Sequence, residues 1–272
     1  MSPIFITWNP DVNIFTIGEF GLRWYGFLFA MGFFLAYSVL YYIFKREKVE
    51  LKLLDWLTFY VFLAVLIGAR LGHVLFYEWD YYKVHLSEIP MVWKGGLASH
   101  GAGIAIVIAL IIYIWLFKLN TWWLFDRIAI VIPISAAFVR LGNLMNSEIY
   151  GVHTTMPWGF IFAATSEAGN SPRHPTQLYE AISYLLIALV LFILYRKNMA
   201  IKRPGILVGI FLVALFSARF LIEFFKEVQV DFENQMSLDM GQWLSVPFIL
   251  LGIGFIIFAL MHKTPTDKAQ KA

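Results

Sequence analysis

Cysteine is absent from all 272 residues. That excludes disulfides, thiolate metal sites and any thiol nucleophile supplied by the protein itself. Charge is scarce too: 14% of residues are Asp, Glu, Lys or Arg, against 60% hydrophobic, and the mean hydropathy is +0.71. A soluble domain carries about a quarter charged residues. The opening MSPIFITWNPDVNIF holds no Lys or Arg, so the basic n-region of a secretory signal is missing and the first hydrophobic stretch is expected to be a retained span. His and carboxylates are too scattered for a metal spacing such as HExxH, and no glycine-rich phosphate loop occurs. No metal, soluble cofactor or nucleic acid is expected. The net charge of +3 says little, because in a membrane protein the placement of charge matters more than its sum.

Apolar runs long enough to cross a bilayer recur along the whole chain. The expected fold is an all-α, polytopic integral membrane protein, a single domain over 1–272. Its seven helices are placed near 19–44, 53–77, 97–117, 124–146, 177–195, 205–225 and 241–261. Twelve Lys and Arg fall in the loops after the first, third and fifth helices and in the tail, and four (Lys83, Lys94, Arg173, Lys226) fall on the opposite side. The positive-inside rule then puts the N-terminus outside and the tail, 262–272, in the cytoplasm. The segments 78–96 and 147–176 become extracytoplasmic loops. Arg127, beside Asp126, is expected to face the cytoplasmic interface.

Helices two, four and six share a layout in which an Arg precedes a Glu by eight positions: GARLGHVLFYE, FVRLGNLMNSE and SARFLIEFFKE. Arg70, Arg140 and Arg219 therefore lie at similar depth, roughly 10 Å below the outer end at 1.5 Å per residue. Helices one, three and five begin on that same side with Arg23 and Tyr25, with His100, and with His174, Gln177 and Glu180. One reading is structural ion pairing, since Glu223 follows Arg219 by four residues on one face, and Glu148 and Glu180 are available to Arg140 and Arg70. The other is an anion site, because guanidinium forks match phosphate in a bidentate way and membrane charges mark function. The depth suits a lipid phosphate.

In VRLGNLMNSEIYG, Arg140, Asn143 and Ser147 share a helical face. Asn146 and Glu148 fall off it, so the helix is expected to loosen near Asn146, with Gly151 helping the turn. Two roles stay open for Asn143, donation to a lipid oxygen or cross-linking of helices. In KGGLASHGAG the glycines permit close approach of another helix or of a ligand. His100 among them is either a packing residue or a base, with an unperturbed pKa of about 6.5. In PRHPTQLYEA, Thr176 is the expected N-cap, His174 a scaffold residue, and Glu180 needs a cationic partner.

Taken in order, RWYG, GARLG, GGLASHG, RLGNLMNSEIYG, RHPTQLYE, ARFLIEFFKE and GQWLSVP cover nearly the whole chain. The sequence closely resembles the bacterial prolipoprotein diacylglyceryl transferases. The resemblance implies seven spans in the cytoplasmic (inner) membrane, with the active site towards the extracytoplasmic leaflet. It implies transfer of the diacylglyceryl group of phosphatidylglycerol to the lipobox cysteine of a prolipoprotein signal peptide, forming a thioether and releasing glycerol phosphate. The family's essential positions carry over as Tyr25, His100, Arg140, Asn143, Glu148, Gly151, Arg219 and Glu223, with Arg140 and Arg219 associated with phospholipid binding and catalysis. Arg70 and Glu180 join the substrate-binding set on the reading above. Three features depart from the family: Ala102 stands where a glycine is frequent, Leu215 replaces a tyrosine four residues before Arg219, and the loop between helices four and five is short.

The chemistry suits these residues. An acceptor thiol attacks as thiolate, and with no cysteine in this chain it must come from the substrate. His100 is the expected proton acceptor, with Tyr25 near it. Arg140 and Arg219 stabilise charge on the departing phosphate, and Glu148 and Glu223 orient the arginines. A transporter of an anionic solute or lipid is the alternative, although its inverted repeats and broken midplane helices have no counterpart in an Arg-to-Glu layout confined to helices of one direction. A purely structural membrane scaffold leaves the convergence of Arg, His and Asn unexplained.

Overall fold

The computed structural model describes residues 5–18, 20–165, 171–228 and 237–262. Its long helices are α1 (Trp24–Arg46), α2 (Leu51–Phe76), α4 (Ser99–Phe117), α5 (Thr121–Met145), α6 (Thr176–Arg196), α8 (Ile206–Glu223) and α9 (Met240–Met261), with short α3 (Trp79–Tyr82) and α7 (Met199–Lys202) between them. The seven long ones are apolar and long enough to cross a membrane, as expected from the hydrophobic runs. Most of the tail expected to be cytoplasmic, 263–272, and part of the 147–176 loop, 166–170, lie outside the described residues.

Four short strands accompany the helices: β1 (Ile6–Trp8), β2 (Asn13–Ile17), β3 (Phe20–Arg23) and β4 (Phe160–Phe162). β2 and β3 form an antiparallel hairpin that turns through Gly18 at φ +61°, a conformation glycine adopts without steric cost. The first span accordingly starts at Trp24 and not at 19. β1 pairs in parallel with β4, Ile6 opposite Phe160, although α1, α2, α4 and α5 intervene. Four crossings are an even number, so both strands lie on one side of the bilayer.

The chain divides into two compact units, one of residues 40–124 and one of residues 1–39 with 125–272. In the first, α2 packs against α4 through glycines. A Cβ on Gly101 would collide with the Gly68 carbonyl, and one on Gly72 would meet the Gly101 Cα. These small residues let two backbones touch, and in a membrane such close packing supplies much of the association energy. Tyr113, wholly buried, donates its hydroxyl to the Leu53 carbonyl at 2.7 Å.

In the second unit α8 packs against α6 and α9, with Gly209 and Gly252 in mutual contact. Half of the most apolar stretch of α5 is buried, against 17% for α9. Asp126 and Arg127 do not face an interface: they are 0% and 2% exposed. The Asp126 carboxylate accepts the backbone N–H groups of Gly205 and Val208 at 2.8 and 3.0 Å. It thereby satisfies donors at the start of α8 that have no partner within the helix.

Candidate functional site

The site is built where α5 ends. The helix stops at Met145, and Ser147 and Ile149 take left-handed φ of 54° and 58°. The expected loosening near Asn146 is therefore present. Its turn uses Ser147 and Ile149, whereas Gly151 has no left-handed φ. Gly151 matters for another reason. A Cβ there would collide with the Phe225 carbonyl and with His174, because Gly151 donates to the His174 carbonyl at 2.8 Å and Val152 to the Phe225 carbonyl at 2.9 Å. Gly151 is thus the point where the strands entering α6 and leaving α8 meet the end of α5.

From this unwound end runs an unbroken series of polar contacts. Glu148 Oε1 accepts from Asn143 Nδ2 at 2.7 Å and from Asn146 Nδ2 at 3.2 Å. Arg140 Nη1 donates to Asn143 Oδ1 at 3.2 Å, and Arg140 Nε lies 2.8 Å from Glu180 Oε2. That last pair is an ion pair without hydrogen-bond alignment, since Glu180 Oε2 accepts no directed hydrogen bond. Glu180 Oε1 receives Lys226 Nζ at 3.2 Å and the Tyr184 hydroxyl at 3.1 Å. Lys226 Nζ also reaches Glu223 Oε2 at 3.1 Å. Glu180 is completely buried and Lys226 is 7% exposed. Burying charge is tolerated only when it is paired in this way.

Three expectations change here. Glu180 serves Arg140 and Lys226, not Arg70. Glu223 pairs with Lys226 and not with Arg219, even though the i, i+4 spacing allows the latter. Thr176 is not the N-cap of α6, a place taken by Pro175. The Thr176 hydroxyl instead donates to the Ile149 carbonyl at 2.9 Å, and Gln177 Nε2 donates to the Glu148 carbonyl at 2.7 Å. Together they pin the unwound segment.

Arg219 lies within electrostatic reach of Tyr184, as Arg140 does, but among the described residues it makes no ion pair or hydrogen bond. Tyr25 packs its ring on Gly142 and feels the charges of Glu148 and Arg140. Hence Tyr25, Arg140, Asn143, Glu148, Gly151, Glu180, Arg219 and Glu223 are gathered at one end of one unit. Lys226 is the member that sequence reasoning missed, having been counted only as a loop charge. It stands three residues after Glu223, but α8 ends at Glu223, so helical spacing does not account for the pair.

Arg70 and His100 belong to the other unit. Arg70 is 3% exposed. Its Nε donates to the Ile89 carbonyl, Nη1 to Gly95 and Gly96, and Nη2 to Glu88 and the Tyr82 hydroxyl. All five guanidinium N–H groups are thus taken by the 78–96 loop. His100 sits in the first turn of α4, exposed, with its ring near Phe76 and Tyr77 at 5.3 and 5.6 Å. In the loop entering α6, His174 Nδ1 lies 3.0 Å from the Tyr179 hydroxyl, and partial burial lowers its pKa below the ordinary histidine value.

A run of Arg, Asn, Glu and Lys among apolar helices, with Asn143, Glu180 and Lys226 buried, suits recognition of an anion at the membrane surface, and comparison with known proteins agrees. Residues 12–258 match the family model for prolipoprotein diacylglyceryl transferase. The chain is similar to the phosphatidylglycerol–prolipoprotein diacylglyceryl transferase of Bacteroides fragilis, with 44% identity over 93% of this chain and 95% of that protein. Proteins of the same name from Tolumonas auensis (42%, covering 94% and 98%) and Chloroherpeton thalassium (41%, covering 98% of each) are similar too. This polytopic membrane protein belongs to the prolipoprotein diacylglyceryl transferase family.

Proposed function

We propose that the protein transfers the diacylglyceryl group of phosphatidylglycerol to the lipobox cysteine of a prolipoprotein signal peptide. The observation that carries this reading is the contact series around Arg140, with Arg219 acting on the same Tyr184 and making no ion pair or hydrogen bond among the described residues, in a chain of this family. The reaction breaks the bond between the glyceryl carbon and the phosphate oxygen. The substrate's thiolate sulfur forms the new carbon–sulfur bond, and glycerol phosphate leaves with the electron pair. The phosphodiester's single negative charge becomes two on the leaving group, so groups aimed at that phosphate favour the transition state over the ground state. Arg140, oriented by Glu180 and Asn143, and Arg219 fill that role. His100 is assigned the thiol proton, since an imidazole can both accept a proton and pass it on. Asn143 and Glu148 contact the lipid's polar atoms, with the Tyr25 ring against Gly142 of the same helix. The distribution of Lys and Arg supports a site towards the extracytoplasmic leaflet, and the family resemblance supports the bacterial inner membrane.

The test uses purified protein in detergent with phosphatidylglycerol and a short lipobox peptide. Glycerol phosphate release is followed together with the peptide's mass gain, with Cys and Ser acceptors compared. Release that needs the Cys peptide and disappears in Arg140→Ala supports the reading. No thiol-dependent release from folded, lipid-binding protein removes it. Wild-type turnover in His100→Gln removes His100 alone from the proton role.

A further inference from the structure

The i, i+4 spacing of Arg219 and Glu223 on α8 favours mutual neutralisation, yet Glu223 turns the other way. Its Oε2 is 3.1 Å from Lys226 Nζ, and its carboxylate lies so close against Gly241 of α9 that a Cβ there would collide with it. The same ammonium is 3.2 Å from Glu180 Oε1. We infer that Lys226 is a positioning residue that keeps Glu223 away from Arg219, so that the Arg219 guanidinium stays available to an anionic lipid phosphate.

The charges support this. Glu180 and Glu223 are answered by Arg140 and Lys226, and Glu148 is held by the amides of Asn143 and Asn146, so among the described residues Arg219 has no carboxylate in contact. Without the ammonium, two carboxylates share one guanidinium. Glu223 then has Arg219 four residues back on its own helix as the nearest uncommitted cation. A guanidinium paired with a carboxylate must give up that pair before accepting phosphate, and a bidentate phosphate contact needs the planar fork intact. Lys226 is well placed to prevent this because its backbone is fixed: it bridges Gly151 as an isolated antiparallel pair.

This inference rests on the proposed function, and its test separates the two. Binding of phosphatidylglycerol and of zwitterionic, net-neutral phosphatidylcholine is measured on the full chain in detergent, with turnover recorded in parallel. Lys226→Met is expected to weaken phosphatidylglycerol binding about tenfold, the scale of one modest competing ion pair, and to raise KM more than it lowers kcat. Lys226→Arg keeps the counter-charge and retains affinity. The decisive variant is Lys226→Met with Glu223→Gln: removing the competing charge restores binding whatever it does to kcat. A purely structural role for Lys226 predicts loss of folded protein that the second substitution does not repair. Unchanged binding in Lys226→Met overturns the inference, as does a double variant that binds no better than Lys226→Met. Absence of any preference for phosphatidylglycerol in the unaltered protein overturns the proposed function as well.

Discussion

Arg140 Nε stands 2.8 Å from Glu180 Oε2, on a carboxylate that is wholly buried. Glu180 is also the partner of Lys226, so one acid on α6 answers two bases from α5 and from the end of α8. Glu180→Gln leaves the half-buried Arg140 without its counter-charge and the buried Lys226 with Glu223 alone. Breaking a buried pair in this manner costs about 3–5 kcal/mol. The expected outcome is a marked fall in the unfolding midpoint in detergent, measured by tryptophan fluorescence, and an unchanged midpoint would remove Glu180 from this role.

Arg140→Lys separates charge from shape. The guanidinium addresses Glu180 through Nε and Asn143 through Nη1, which orients the remaining N–H groups. An ammonium keeps the charge but cannot hold all these directions at once. Thiol-dependent glycerol phosphate release is expected to fall by about 10²–10³-fold, the scale of losing one oriented donor to developing charge. A near-normal rate would rule out a bidentate clamp.

Arg70→Lys tests a different kind of arginine. Its five N–H groups tie down carbonyls of Glu88, Ile89, Gly95 and Gly96 and the Tyr82 hydroxyl, and lysine offers three donors on a flexible stem. Limited proteolysis should cut the 78–96 segment faster in the variant, while affinity for phosphatidylglycerol stays close to wild type. The reverse pattern, an intact loop with lost affinity, would return Arg70 to the substrate-binding set.

Gly101 and Gly103 make a matched pair. A methyl on Gly101 would strike the Gly68 carbonyl, whereas one on Gly103 meets nothing nearby. Gly101→Ala is expected to destabilise by at least the 1–3 kcal/mol typical of overpacking, and Gly103→Ala to be neutral or slightly stabilising. Equal unfolding midpoints for the two would contradict close packing of α2 on α4.

His174 carries a pH dependence. Its pKa is lowered on folding by burial, so below about pH 6.5 the unfolded chain binds the proton more readily than the folded one. Its stabilising contribution is complete above that pH and is lost as pH falls towards the lower folded value. The groups around it are Tyr179, Phe225 and the backbone of Gly151 and Val152. Unfolding midpoints taken from pH 8 down to pH 5 should decline less steeply in His174→Phe. Parallel profiles would exclude the effect.

The seven spans were legible because each is an apolar run of bilayer length. The gathering of Arg140, Asn143, Glu148, Glu180 and Glu223 was legible as a set because residues that are costly in a membrane stand out against such a background. Their pairing was not. Spacing alone favoured Arg219 with Glu223, since the position of Lys226 depends on the chain leaving α8 as an extended bridge to Gly151. The hairpin at Asn13–Arg23 was hidden for a related reason, because an aromatic-rich entry to a span reads equally well as more helix. Arg70 looked like a sibling of Arg140 by sequence, and only the carbonyls of a loop some 20 residues on reveal its different task.

The two units also differ in the order in which a ribosome can supply them. Residues 40–124 form one continuous stretch, complete in sequence once residue 124 is made. The other unit is interrupted: β1 has to wait for β4, and Tyr25 for Gly142, more than a hundred residues downstream. Glu223 meets Gly241 only when α9 emerges. Since domains generally fold as they appear during synthesis, biogenesis ends with the unit that holds Arg140, Glu180 and Glu223, and a nascent chain stopped before α9 leaves Glu223 without its Gly241 neighbour.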